Sequence, residues 1–233
     1  MGNCCGEGQV INDHSAFKMS QPEFPHNLES DRRQLNSSRL QEAIAPIALP
    51  GSKMKLVVMN TPNPKVIEVL ASLPHFTYPR EQSYEPGKPI YGPYQYPGGA
   101  TYTGQYINFQ RSGKGRQVWK DGSVYEGFWI EDKPHGFGRQ VYEEGDVYEG
   151  EWVAGWSSGM GTYTKVDGGC YTGEWVDNVR SGVGKETYGD GSVYEGGFKR
   201  DLRHGIGRMC WSDGSKYEGE FLNDGMHGEG QSK

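Results

Sequence analysis

The sequence predicts an elongated all-β array, a meander of short antiparallel strands, preceded by a largely irregular N-terminal region with short helices. Two observations carry this. A 23-residue period begins at Tyr102 and returns at Tyr125, Tyr148, Tyr171, Tyr194 and Tyr217 without an insertion. Six copies in register outrank any local propensity. Composition agrees, because 36 glycines and only 34% hydrophobic residues in 233 suit a thin array better than a thick globular core.

Each element of the unit follows from its spacing. The leading tyrosine, a glycine two residues later (Gly104 to Gly219) and a second ring four residues later (Tyr106, Trp129, Trp152, Trp175, Phe198, Phe221) share the period of a strand and one face of it. A Gly-Xaa-Gly run, from Gly113/Gly115 to Gly228/Gly230, continues at the same period to a ring at Trp119, Tyr142, Tyr188 and Trp211, with Lys165 as the exception. That predicts a second strand whose glycines make room for a neighbouring ring. Asp121-Gly122, Asp167-Gly168, Asp190-Gly191 and Asp213-Gly214 predict tight hairpins between units, with Glu144-Gly145 as the variant; a longer polar link, as in Asn108 to Ser112, is expected inside each unit. The opposite face carries Glu126, Glu149, Glu195 and Glu218 against Arg116, Arg139, Lys185 and Arg208, a lattice of cross-strand charge pairs. About a dozen strands at about 4.8 Å spacing make an array on the order of 60 Å long.

Tyr148-Glu149-Gly150-Glu151-Trp152, the His204-Gly205-Ile206-Gly207 run and the Asp-Gly turns resemble the MORN (membrane occupation and recognition nexus) repeat over about residues 96–233. The resemblance implies a curved, twisted single-layer sheet with an aromatic groove, in proteins that are often membrane-proximal scaffolds or regulatory modules fused to an enzyme. Gly197 departs from the pattern at a usually acidic position, and Cys170 precedes the tyrosine of the fourth copy.

The net charge of −6 lies wholly in the array, since residues 1–95 balance nine basic against nine acidic side chains. Such a balance disfavours nucleic acid as a partner. Local basic clusters at Arg111, Lys114 and Arg116, and at Lys199, Arg200 and Arg203 beside Arg208, are candidate anion or lipid-headgroup sites. No apolar run is long enough to span a bilayer, no secretory signal is visible, and four cysteines make no disulfide framework.

Met1-Gly2-Asn3-Cys4-Cys5 reads as an acylation anchor: loss of Met1 exposes Gly2 for myristoylation, and Cys4 and Cys5 are placed for palmitoylation. Gly6 departs from the preferred Ser or Thr, and with no basic residue before Lys18 the second membrane signal falls to the cysteines. Residues 1–20 are the anchor, 21–88 a linker, and 89–233 the array, with six full repeats from about residue 96. Within the linker, a weak amphipathic pattern covers about 30–45, and Asn63-Pro64 caps a helix through about Leu73. Residues 89–96 read as the second strand of a decayed repeat covering the first sheet edge; a proline-motif ligand at Pro86 to Pro89 is the alternative.

Catalytic chemistry is not in evidence. Gly182-Val183-Gly184-Lys185 mimics a phosphate loop only because every unit has a Gly-Xaa-Gly, and His135, His204 and His227 share one repeat position. The expectation is a non-enzymatic scaffold or adaptor at the cytoplasmic face of a membrane, without cofactor or metal. Its membrane attachment is the acylated N-terminus, and it presents the aromatic face to a protein partner through Trp129, Trp152, Trp175, Tyr148 and Tyr171. Alternatives are a phosphoinositide or anionic-lipid binding module, and a regulatory subunit of a separate enzyme such as a lipid kinase; a homodimer is compatible with each.

Overall fold

A computed structural model describes residues 61–79 and 88–232. The anchor residues Gly2, Cys4 and Cys5, the pattern over 30–45 and the first half of the Pro86 to Pro89 motif lie outside the described residues. Among the described residues, one helix, α1 (Pro64–Ser72), precedes thirteen strands: β1 (Tyr91–Gln95), β2 (Thr101–Ile107), β3 (Gln110–Val118), β4 (Val124–Ile130), β5 (Lys133–Val141), β6 (Val147–Val153), β7 (Trp156–Thr164), β8 (Cys170–Val176), β9 (Val179–Thr187), β10 (Val193–Lys199), β11 (Leu202–Cys210), β12 (Lys216–Leu222) and β13 (Gly225–Ser232). They form a single antiparallel sheet in sequence order, as the meander requires. β1 pairs with β2 and covers that edge, as expected of a decayed repeat.

The turns are distributed opposite to expectation. Inside each unit the connection is a two-residue turn with positive φ at both positions, as at Asn108 (50°) and Phe109 (62°) or Asp177 (49°) and Asn178 (67°). Asn and Asp tolerate that region, which the right-handed twist of a hairpin favours. Between units, Gly122 N–H donates to Trp119 O and Trp119 N–H to Ser123 O. Gly122 alone takes positive φ there (88°), while Asp121 Oδ1 accepts from Ser123 N and Oγ. Asp-Gly therefore marks a turn with a glycine bulge, not the tightest hairpin.

The two glycines of each Gly-Xaa-Gly do different work. Gly113 sits in a bulge at φ 89°, where the register between β2 and β3 slips. Gly115 has ordinary φ, but a methyl group there would overlap the hydroxyl and ring of Tyr102. Each leading tyrosine thus lies flat over a glycine pair. Tyr125 stands edge-on to Trp129 (5.1 Å, 87°) and to Trp152 of the next unit (5.3 Å, 87°), and the same ladder runs to Phe221. Such edge-to-face pairs add about 0.5–1.5 kcal/mol each beyond area burial. Their polar atoms are satisfied too: Tyr125 Oη donates to Phe128 O at 2.9 Å, and Trp152 Nε1 to Gly138 O at 3.2 Å.

On the second face, residues 61–79 form an arm across β3 to β6. Asn63 caps α1 by accepting from Lys65 N, with Pro64 opening the helix. Val66, fully buried, packs with Val118, Val124, Val141 and Val147. Nine residues of helix span about 13 Å, close to the roughly 14 Å across four strands. The chain then returns: Arg139 Nη1 donates to Pro74 O, Phe76 stacks on Phe137 at 6.0 Å, and Tyr78 meets Phe128 edge-on at 5.2 Å.

Candidate functional site

The rings expected to meet a partner are the core. Trp129 and Tyr148 have no exposed surface, Trp152 and Trp175 have 2% and 1%, and Tyr171 has none. The expected aromatic groove is filled by its own side chains, so none of these five rings offers a contact surface. Burial also pushes the phenols of Tyr102 and Tyr125 well above their ordinary value, which keeps them neutral donors.

Nor do the basic clusters assemble. Arg111 is buried on the ring face, where its Nε and backbone N–H donate to Asp132 Oδ1, its Nη1 to Gln117 and its Nη2 to Asp132 O, with the guanidinium 4.5 Å from the Trp129 ring. Arg203 repeats the clamp on Asp224. Lys114 and Arg116 lie on the other face beneath the arm, Lys114 over the Tyr78 ring at 5.0 Å. Of the six, Lys199 and Arg200 alone are exposed. Structural clamps, not a headgroup site, account for the other four.

The surface that remains open is the second face beyond the arm. At the register position between the paired glycines, Phe137 is roofed by Phe76, whereas Met160, Val183 and Ile206 in the following units are 53%, 66% and 69% exposed. Val153, Trp156, Val176 and Leu222, on the same face by register, are exposed as well. Among the described residues, no large exposed apolar side chain occurs between 110 and 152. A groove of about 910 Å³ opens where the arm ends, floored by Phe137, Val147 and Met160 and walled by Val69 of α1 and by Leu73 at its C-cap. Sequence parity held the signal for this strip, but the rings of the other face overshadowed it.

Carboxylates flank the exposed row. Phe137, Met160 and Ile206 stand opposite Glu151, Glu174 and Glu220. Glu151 and Glu174 each accept the backbone N–H of the next strand, at Met160 and Val183. Beside them the charge lattice differs along the array. Lys185 and Glu195 form an open pair at 2.6 Å, each more than half exposed, while Arg139 and Glu149 are joined under the arm. Burial raises the Glu126 carboxyl, an effect Arg116 partly offsets.

Among the described residues, no group of three or more His, Cys, Asp or Glu could hold a metal ion, and no helix is long and apolar enough to cross a membrane. The geometry suits recognition: an apolar row with acidic edges on a rigid sheet.

No curated protein matches the chain significantly. Among solved structures, the wild-type TCP10 domain of Danio rerio CPAP aligns at 14% identity, covering 56% of this chain and 60% of that one, with a TM-score of 0.34. The TCP domain of Drosophila melanogaster SAS-4 (dCPAP), solved with a proline-rich motif of Ana2 (dSTIL), aligns at 13% identity over 64% and 86%, with a TM-score of 0.36. Neither likeness carries an argument at that level. The MORN repeat profile, by contrast, matches six contiguous segments, 102–124, 125–147, 148–170, 171–193, 194–216 and 217–232, more than half of the chain. The chain belongs to the MORN-repeat family.

Proposed function

We propose that this protein is a non-enzymatic adaptor, held at the cytoplasmic face of a membrane by acyl chains on Gly2 and on Cys4 or Cys5, and that it captures a protein partner on the second face of β7 to β12. The observation that carries the partner reading is the row Met160, Val183 and Ile206, left open at the register position where Phe137 is covered. Apolar side chains on a rigid surface with a polar rim are what recognition surfaces use. A phospholipid headgroup fits this face poorly, because Glu151, Glu174 and Glu220 border the row and would repel an anionic leaflet.

The anchor reading comes from the N-terminal sequence. One myristoyl chain holds a protein only marginally, with a partition constant on the order of 10⁴ M⁻¹, so palmitate on the cysteines supplies the second attachment. The test uses two variants in cells. Gly2→Ala moves the protein to the cytosol, with mass spectrometry showing acylated Gly2 in the wild type. Met160→Ser/Val183→Ser/Ile206→Ser stays on the membrane and loses a defined set of proximity-labelled neighbours that Phe109→Ser retains. An unmodified Gly2 on membrane-bound wild type overturns the anchor, and an unchanged neighbour set overturns the partner surface.

A further inference from the structure

This inference rests on the partner surface just proposed and names its occupant: we infer that the open half of the second face takes a basic amphipathic helix from another protein, lying along the array across the strands. The argument begins with a match of two periods. One repeat contributes two strands, so equivalent side chains recur about every 9.6 Å along the sheet. Seven residues of α-helix rise about 10.5 Å. A helix laid across the strands therefore meets one repeat every two turns, with apolar residues at i and i+7 falling over equivalent positions.

The molecule already contains one such helix. Val66 of α1 and Leu73 at its C-cap are seven residues apart, with Val69 and Leu70 between them, and this stripe packs on the valine pairs of two successive units, Val118/Val124 and Val141/Val147. Beyond α1 the sheet continues in the same register. Met160, Val183 and Ile206 recur at that spacing on β7, β9 and β11, and the groove beside Val69 and Leu73 leads onto the first of them. From β7 to β12 the surface runs about 24 Å, the length of roughly 16 helical residues.

Charge selects the sign of the occupant. Glu151, Glu174 and Glu220 lie against the apolar row with exposed side chains at its period, broken only at Gly197 opposite Val183. Of the exposed cations on this face, Lys185 is engaged by Glu195 at 2.6 Å, Arg208 stands opposite Glu195 and Glu218 on its two neighbouring strands, and Lys199 and Lys216 sit at strand ends away from the row. A helix with leucine-like residues at heptad spacing and Lys or Arg on its flanks satisfies both features. An acidic helix meets three carboxylates. A strand added edge-on uses neither, because this face presents side chains and not free backbone groups.

The test uses the full-length chain and a fluorescent 18-residue peptide of leucine and lysine, with leucines at i, i+3, i+4 and i+7, beside a leucine/glutamate peptide of the same pattern. Anisotropy is expected to show saturable binding of the leucine/lysine peptide, at least tenfold weaker binding of its acidic counterpart, and helical circular dichroism gained on binding. Met160→Ser/Val183→Ser/Ile206→Ser weakens binding at least tenfold, while Phe109→Ser, on an exposed turn, does not. An unchanged melting temperature shows that the variant is folded, which the exposure of these side chains leads one to expect. Equal binding by wild type and the triple variant overturns the inference, since charge alone then holds the peptide. It is also overturned if the same triple variant abolishes self-association in sedimentation, or binding to phosphatidylserine vesicles, because the row then serves a second copy or a lipid surface. Loss of the cellular neighbours in the triple variant, with no binding of the leucine/lysine peptide in vitro, overturns the helical occupant and leaves the adaptor reading standing.

Discussion

Strands β3 to β6 and strands β7 to β12 share one backbone and one aromatic ladder, yet their second faces have opposite fates. Over β3 to β6 the outward residues are Val118, Val124, Val141 and Val147 with Phe128 and Phe137, and the arm of residues 61–79 seals them. Over β7 to β12 the same positions hold Thr164, Cys170, Thr187, Val193, Cys210 and Lys216 with Met160, Val183 and Ile206, and nothing described covers them. The ring face therefore supplies the stability common to all units, and the second face is where units specialise. A single-layer sheet separates the two tasks by side-chain parity alone.

Two experiments test that division at its strongest. Valine at Gly138 or at Gly184 puts a branched side chain into the ring of Tyr125 or Tyr171, so both halves should lose about 3 kcal/mol or more in urea unfolding of the full chain. A large cost in one half and a small cost in the other would mean that the ladder is not the shared core. The second face should behave otherwise. Phe137→Ser beneath the arm is expected to cost about 2 kcal/mol, and Ile206→Ser, at the same register position, to stay within about 0.5 kcal/mol. Comparable losses would show that the open half is packed in solution.

Much of this architecture was legible in the residues. The phase of the repeat, the face of its recurring rings, the Asn63 cap and the edge strand at 91–95 all follow from spacing and local chemistry, which act over a few residues. Which face would be open did not follow. Rings at alternate positions look like an exposed groove until the tyrosine seen lying over Gly115 and the indole bonded to Gly138 O show that they fill it. The turns inverted for a related reason. Asp121-Gly122 carries a strong local signal, but strand register, which places two residues at Asn108-Phe109, decided where the tight turn falls. The valine and phenylalanine positions opposite the rings were the readable clue to the arm, since a solvated lattice has no use for Val118, Phe128 and Val141.

Charge pairs sharpen the comparison at smaller scale. Arg139 donates to Glu149 and to Pro74 O and lies 5.5 Å from the Phe76 ring, so it ties the arm to the sheet. Arg139→Ala should cost about 2 kcal/mol and raise amide exchange across residues 64–76. Lys185→Ala removes an exposed pair with Glu195 and is expected to change stability by no more than about 0.5 kcal/mol, less at high salt. Exchange that rises equally in both variants would argue against Arg139 as a clasp.

The last expected effect is a gain. Arg111, Arg180 and Arg203 each clamp an aspartate in the next unit's turn, and Arg111 Nη1 also satisfies Gln117 Oε1. The second unit has lost this set: Pro134 stands at the arginine position, Gly155 at the aspartate position, and fully buried Gln140 keeps an Oε1 without a hydrogen-bond partner. Pro134→Arg alone places a guanidinium in a buried site with no carboxylate and should destabilise by about 1–3 kcal/mol. Gly155→Asp alone should be nearly neutral, since Asp132 takes the equivalent positive-φ position in the unit before. Together they restore both partners and supply a donor to Gln140. The double variant should then exceed the wild type by about 1 kcal/mol, after the loss of the proline's effect on the unfolded chain. A double-mutant cycle in urea reads the coupling directly, and a double variant no more stable than Pro134→Arg alone would show that this unit has repacked around its proline.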